Sequence, residues 1–322
     1  MSSQGEIEGT DSRKSKLAAL SGIVNVFRFE HNGSLKDRLL TALLVLSLAL
    51  ALSLLAIYLP YGRILCVAWT SAIAMVSAFE VVRLFARNPE TLHYRPIAGF
   101  ATYVILVIPA LVATSEAGGV VLGQVVHWQR LYISLVIAGH LLMIAHVLDG
   151  RVRLEDAARF SERYGGAFFL LAICAPQLIV IAGSALGVQL LWWIAGVAAL
   201  NDAAAYFVGS ALGKHKMAPG LSPNKSLEGS VAGLVVGSIA GVALWRVLLG
   251  GGIGDVWVGV MSLAAILSAQ AGDLSKSYLK RLRGVKDTGA LFPGHGGVLD
   301  RFDAMIAAAP VVLVFVSMWG LL

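Results

Sequence analysis

The sequence predicts an all-α polytopic integral membrane protein, and three observations carry that expectation. The chain is 57% hydrophobic, with a mean hydropathy of +0.78, where soluble globular chains are about 45–50% apolar. Only 14% of its residues are charged, against about 25% in an ordinary soluble domain. The apolar residues also fall in long runs, about nine of which reach the roughly 20 residues that cross a ~30 Å hydrocarbon core.

The chain divides by composition into a polar arm (1–38), an N-terminal group of membrane helices (39–190) and a C-terminal half (191–322) that holds most of the polar motifs. The arm carries Arg13, Lys14, Lys16, Arg28, Lys36 and Arg38. No small-residue cleavage site follows a short apolar core, so a signal peptide is not expected. The expected spans are 39–59, 64–84, 97–115, 129–148, 165–184, 188–209, 229–249, 253–272 and 303–322. Basic residues fix their orientation. Arg87 and Arg95, then Arg151, Arg153, Arg159 and Arg163, then Lys214, Lys216 and Lys225, then the cluster from Lys276 to Arg301 fall in alternate loops. The intervening loops carry only Arg63 and, at a helix edge, Arg130. By the positive-inside rule the N-terminus is cytoplasmic and the C-terminus periplasmic. The net charge of +6 therefore points to an anionic lipid surface, not to nucleic acid.

Several residues refine the packing. Gly229, Gly233, Gly237 and Gly241 recur every fourth residue, a flat face that allows close helix contact and permits a homodimer. Glu80, His140 and His146 are ionisable groups in or at the ends of apolar runs, and such groups usually have a function or a buried partner. Trp192-Trp193 near a helix start reads as an interfacial anchor. Cys66 and Cys174 lie in apolar runs without metal or redox spacing.

Three polar clusters fall on one side of the membrane under this topology. Asp202 lies deep in an apolar run with Tyr206 one turn on; an unpaired carboxylate there costs about 2.5–3.5 kcal/mol on insertion scales. It is expected to meet a cation or a hydrogen-bonding partner. The loop Ser222-Pro223-Asn224-Lys225-Ser226-Leu227-Glu228-Gly229 reads either as a phosphate cradle before a helix N-terminus or as a capping turn with Ser226 or Ser222 as cap. The third cluster opens at Gly272-Asp273-Leu274 and runs through SYLKRLRGVKDTGALFPGHGGVLDRFD, residues 277–303. If the eighth helix continues past Asp273, its carboxylate and those of Asp300 and Asp303 can converge on a divalent ion. Lys276, Lys280, Arg281, Lys286 and Arg301 would then neutralise phosphates around it.

The stretch from Ser277 to Asp303 resembles the signature of the phosphatidate cytidylyltransferase (CDP-diacylglycerol synthase) family. The matching positions are Ser277, Lys280-Arg281, Lys286-Asp287, Gly289, Leu291 or Phe292 with Pro293, His295-Gly296-Gly297, Asp300-Arg301 and Asp303. The similarity reaches back through Asp273, the Ser222–Gly229 loop and Asp202 with Tyr206 and Gly209, covering roughly residues 200–310; Asn224 departs from it slightly. The resemblance implies an enzyme that joins CTP and phosphatidic acid to give CDP-diacylglycerol and pyrophosphate; the compact loops and the lack of an organelle targeting signal lead us to expect a bacterial inner membrane, with the active site facing the cytosol. It implies Mg²⁺ on Asp273 and Asp300, with Asp303 and Asp202 supporting it or a second, monovalent cation. Lys225 and Ser222 would contact nucleotide phosphates, and Lys280, Arg281, Lys286 and Arg301 the triphosphate or lipid phosphate. His295, Gly296 and Gly297 would shape the loop over them, with Ser277 and Tyr206 in the substrate site. Two other readings compete: a CTP-dependent lipid kinase of the polyprenol type, and an ion-coupled transporter. The second is disfavoured because the polar residues crowd into the C-terminal third without an inverted partner in residues 39–200.

Overall fold

The structure is a computed structural model that describes residues 35–59, 62–85, 171, 174–282, 284–289, 291–292 and 296–321. The expected spans at 97–115 and 129–148, the start of that at 165–184 (residues 165–170, 172 and 173), the arm up to residue 34, and His140, His146 and His295 lie outside the described residues. Within them the chain is mostly helical. Helices α1 (Leu35–Tyr58) and α2 (Gly62–Phe85) come first. A short α3 (Ala175–Gly183), begun by Pro176 in its first turn, precedes α4 (Gly187–Leu212). Then follow strands β1 (Lys216–Ala218) and β2 (Ser222–Ser226), α5 (Leu227–Leu249), α6 (Asp255–Leu282) and α7 (Leu299–Met318).

Five of these helices (α2, α4, α5, α6 and α7) are long and apolar enough to cross a membrane. Helix α4, with 26 residues, extends about 39 Å at 1.5 Å per residue, more than a hydrocarbon core needs. Helix α6 starts two residues later than expected and runs on through Asp273 to Leu282. That continuation brings Asp273, Lys276 and Lys280 onto one helical stripe.

One small sheet departs from an all-α reading. Strands β1 and β2 pair antiparallel, with Lys216 opposite Ser226 and Ala218 opposite Ser222. The Leu221 amide donates to the Ala218 carbonyl at 3.1 Å to close the turn, and Pro219-Gly220 supplies its turn residues. The capping expectation for this loop holds at Ser226. Ser226 caps α5, its Oγ accepting from the Gly229 amide at 3.2 Å, while Ser222–Lys225 is extended strand.

The glycine face of α5 is used within the chain. Gly229, Gly233, Gly237 and Gly241 are all buried. A Cβ at Gly233 would strike Asn201 of α4, and one at Gly237 would lie 2.6 Å from Ile266 Cδ1 of α6. That face is therefore filled and not open to a second copy. Trp193 packs here too. It is fully buried, donates from Nε1 to the Gly241 carbonyl at 2.8 Å, and meets Trp245 edge to face at 5.9 Å between centroids. The interfacial role expected of Trp192-Trp193 is thus corrected for Trp193, because a polar carbonyl inside the bundle satisfies the indole N–H. Trp192 also turns to the chain, donating to Ser53 Oγ of α1 at 2.8 Å. Since the α4–α5 contact has no spare volume, Gly233→Leu is expected to lower stability by about 1–3 kcal/mol, read as a lower thermal midpoint of the purified protein in detergent.

Candidate active site

The polar motifs meet at one end of the helix bundle. Helices α2, α4 and α6 end near it and α5 and α7 begin near it, so alternating chain direction gathers residues distant in sequence on one side. Its centre is Lys276, 6% exposed. The Lys276 Nζ lies 2.9 Å from Asp273 Oδ1, 2.8 Å from Asp303 Oδ2 and 4.0 Å from Asp300 Oδ1. It also donates to the Asp300 main-chain carbonyl at 3.4 Å. Two further lysines flank this knot: Lys225 of β2 pairs with Asp273 Oδ2, and Lys280 Nζ reaches Asp300 Oδ1 at 2.8 Å.

The expected convergence of Asp273, Asp300 and Asp303 is therefore present, and it closes on an ammonium group. Ordinary helix geometry produces it. Asp273 and Lys276 are one turn apart on α6, and Asp300 and Asp303 one turn apart on α7. Asp303 is 4% exposed, and its Oδ2 makes no hydrogen bond although Lys276 lies within ion-pair distance. Asp202 on α4 lies in the field of Asp273, Lys225 and Lys276. Four carboxylates thus face three ammonium groups, in a setting where isolated charge is costly.

Asp202 is held from behind. Its Oδ1 accepts from Asn201 Nδ2 at 2.9 Å, and Asn201 Oδ1 accepts from Gln270 Nε2 at 3.0 Å. Ser230 Oγ completes the chain by donating to Gln270 Oε1 at 2.5 Å. Asp202 thus has the hydrogen-bonding partner that its depth in an apolar run demands.

Asp300 is the most constrained carboxylate. Its Oδ2 accepts from the Thr288 amide at 2.7 Å, Thr288 Oγ1 at 2.9 Å and the Gly297 amide at 3.1 Å. The loop is shaped to make these bonds. Phe292 N donates to the Gly296 carbonyl at 3.0 Å, and Gly296 takes φ 81°, where a Cβ would sit 2.8 Å from Asp300 Oδ2. Only glycine suits that backbone. Gly297, like Gly296, is buried.

The remaining expected site residues lie around this core. Ser222 is half-buried on β2, and Ser277 is half-buried on α6 beside Lys276. Arg281 donates from Nε to the Leu221 carbonyl at 3.2 Å, tying the end of α6 to the hairpin. Lys286 and Arg301 are exposed. Tyr206, one turn after Asp202 on α4, is 71% exposed and meets Phe207 edge to face at 5.7 Å. Reading by sequence missed the roles of Thr288, Gln270 and Asn201, and it placed Lys276 among the phosphate-facing cations. A signal for Lys276 existed: a lysine between two carboxylate-bearing helix turns is a natural counter-ion.

Residues 36–319 match the Cytidylyltransferase family. That match covers most of the chain and decides the matter. The chain belongs to the cytidylyltransferase family. Within the family it is 31% identical to the phosphatidate cytidylyltransferase of Pseudomonas aeruginosa over 308 residues, covering 89% of this chain and 99% of the relative. It is 27% identical to that of Bacillus subtilis over 287 residues, with the same coverage. With the Brucella suis enzyme of the same name, identity rises to 44% over 116 residues, which are 36% of this chain and 42% of that relative. Local matches of this kind span about half or less of the curated relative's length.

Proposed function

We propose that the protein is a CTP:phosphatidate cytidylyltransferase that forms CDP-diacylglycerol and pyrophosphate for phospholipid synthesis. The observation that carries the reading is the knot of Asp202, Asp273, Asp300 and Asp303 with Lys225, Lys276 and Lys280 at one end of apolar helices. Family membership and relatives of that name support it. A lipid phosphate oxygen would attack the α-phosphorus of CTP as the bond to pyrophosphate breaks. The lipid phosphate is already ionised near neutral pH, so no general base is required, and positioning and charge neutralisation carry the catalysis.

The donor set suits Mg²⁺. Its oxygens are hard carboxylates, the buried Asp303 Oδ2 is met by the Lys276 ammonium at 2.8 Å, a charge an ion could replace, and Mg²⁺ commonly takes one or two carboxylates with substrate phosphates. Among the described residues no three acidic, histidine or cysteine side chains form a ready-made cage, which fits a site completed by the nucleotide. Asp273 and Asp300 would hold the ion, with Asp303 and Asp202 beside it or around a monovalent cation. Bound there, it would supply positive charge to the triphosphate. Lys225 and Ser222 on the hairpin would meet nucleotide phosphates, and Lys280, Arg281, Lys286 and Arg301 would hold the triphosphate or lipid phosphate. His295, Gly296, Gly297, Ser277 and Tyr206 complete the proposed substrate site.

We place this end of the bundle at the cytosolic face of a bacterial inner membrane, with nine spans, the N-terminus inside and the C-terminus outside. The loop charges support that orientation. The test is an assay in detergent micelles with phosphatidic acid, Mg²⁺ and CTP labelled in the cytidine. Label is expected in the lipid fraction, and chelation of Mg²⁺ with EDTA should abolish it, with recovery on adding Mg²⁺ back. CDP released with a phosphorylated lipid would replace the reading by a kinase. A folded protein that consumes no CTP would end both.

A further inference from the structure

Glu80 comes from α2, outside the C-terminal motifs, yet it is 1% exposed and ends among them. Its Oε1 accepts from the Val298 amide at 2.8 Å. Its Oε2 accepts from the Leu299 amide at 3.0 Å and lies 3.0 Å from Thr288 Oγ1, whose single proton it shares with Asp300 Oδ2. Val298 and Leu299 open α7, where free amide donors and the helix dipole favour a carboxylate. Glu80 therefore caps α7 from another helix, while Val298, at the cap position, makes no side-chain cap bond.

Thr288 joins this cap to the site. Its hydroxyl carries one proton and lies 3.0 Å from Glu80 Oε2 and 2.9 Å from Asp300 Oδ2. Its amide meanwhile donates to Asp300 Oδ2 at 2.7 Å. One residue thus spans two carboxylates, one from each half of the chain. Every donor on Asp300 Oδ2 belongs to a loop whose two ends Glu80 grips, at Thr288 and at Val298–Leu299.

We propose that Glu80 is a positioning residue for the reaction, acting through Thr288 and the first turn of α7 to fix the Asp300 carboxylate in one orientation. The proposal rests on the cytidylyl-transfer reading above. Glu80 holds Thr288, Val298 and Leu299, the residues that orient Asp300.

The test uses the full chain in detergent, comparing wild type with Thr288→Val, Thr288→Ser and Glu80→Gln. Activity is read as kcat and KM for CTP, and backbone order as amide exchange at Thr288, Gly297, Val298 and Leu299. Thr288→Val keeps the side-chain volume and is expected to lower kcat by about 10–100-fold with KM changed less than ~3-fold. Thr288→Ser, which restores the hydroxyl, should recover activity to within ~3-fold of wild type. Glu80→Gln should speed exchange at those four amides while leaving α4 and α5 protected. Wild-type kcat in Thr288→Val, a serine variant no better than valine, or exchange rising equally throughout the chain would each overturn the proposal. Localised exchange in Glu80→Gln from a protein whose wild type makes no cytidine-linked lipid would support the clamp and reject the reaction.

Discussion

Asp300→Asn is expected to reduce kcat by about 10²–10³-fold while the protein remains folded. Both oxygens of Asp300 are engaged: Oδ1 with Lys280, and Oδ2 with two amides and the Thr288 hydroxyl. An asparagine offers one acceptor and one amino group in the same space. Facing Lys280, its NH₂ would oppose an ammonium; facing the loop, it would oppose two N–H donors. Either orientation loosens the loop and removes a negative charge that balances Lys276 and Lys280. The charge lost is also the one proposed to hold Mg²⁺, so the Mg²⁺ concentration giving half-maximal rate should rise. A steady-state titration of Mg²⁺ at saturating CTP measures both changes. An asparagine variant with wild-type kcat and Mg²⁺ response would remove Asp300 from the site.

Lys276→Met is the counterpart, and its main effect is on stability. The methionine fills similar volume, but it leaves Asp273 and Asp303 without their shared cation and Asp300 with one fewer. Removing one partner from a buried ion pair costs about 3–5 kcal/mol, because the remaining charge is left uncompensated. The expected result is a large drop in the thermal midpoint in Mg²⁺-free detergent and poor recovery of folded protein. Adding Mg²⁺ should raise the variant's midpoint more than that of wild type, since the ion can then neutralise the carboxylates that lost Lys276. Equal Mg²⁺ shifts in the two proteins would mean that these carboxylates do not bind the ion.

Much of this site is visible in the sequence because charge inside apolar helices is rare and therefore informative. Asp202, Asp273 and the Asp300/Asp303 pair stand out for that reason, and helical spacing alone predicts that the last three share a region. The pairing of Lys225 with Asp273 is harder to read, since it depends on a hairpin whose short strands carry little periodic signal. Glu80 is conspicuous as a buried acid, but its partners are backbone amides more than 200 residues away, and amides have no sequence signature. The buried indole of Trp193 was obscured for the same reason: its partner is a carbonyl. Helix boundaries followed composition closely at α5 and less so at α6, which remains helical beyond the apolar run because its polar residues turn toward the other charges.

The long separation between Glu80 and its partners has a consequence for biogenesis. Thr288 lies 208 residues after Glu80, so at about 5–20 residues per second the ribosome needs roughly 10–40 s to deliver it. During that interval α2 is in place with a carboxylate that has none of its final donors. Glu80 cannot make its final hydrogen bonds until the start of α7 arrives. A nascent chain that stalls before Thr288 therefore holds in its membrane portion a carboxylate that lacks every one of these partners, where an unpaired charge is costly.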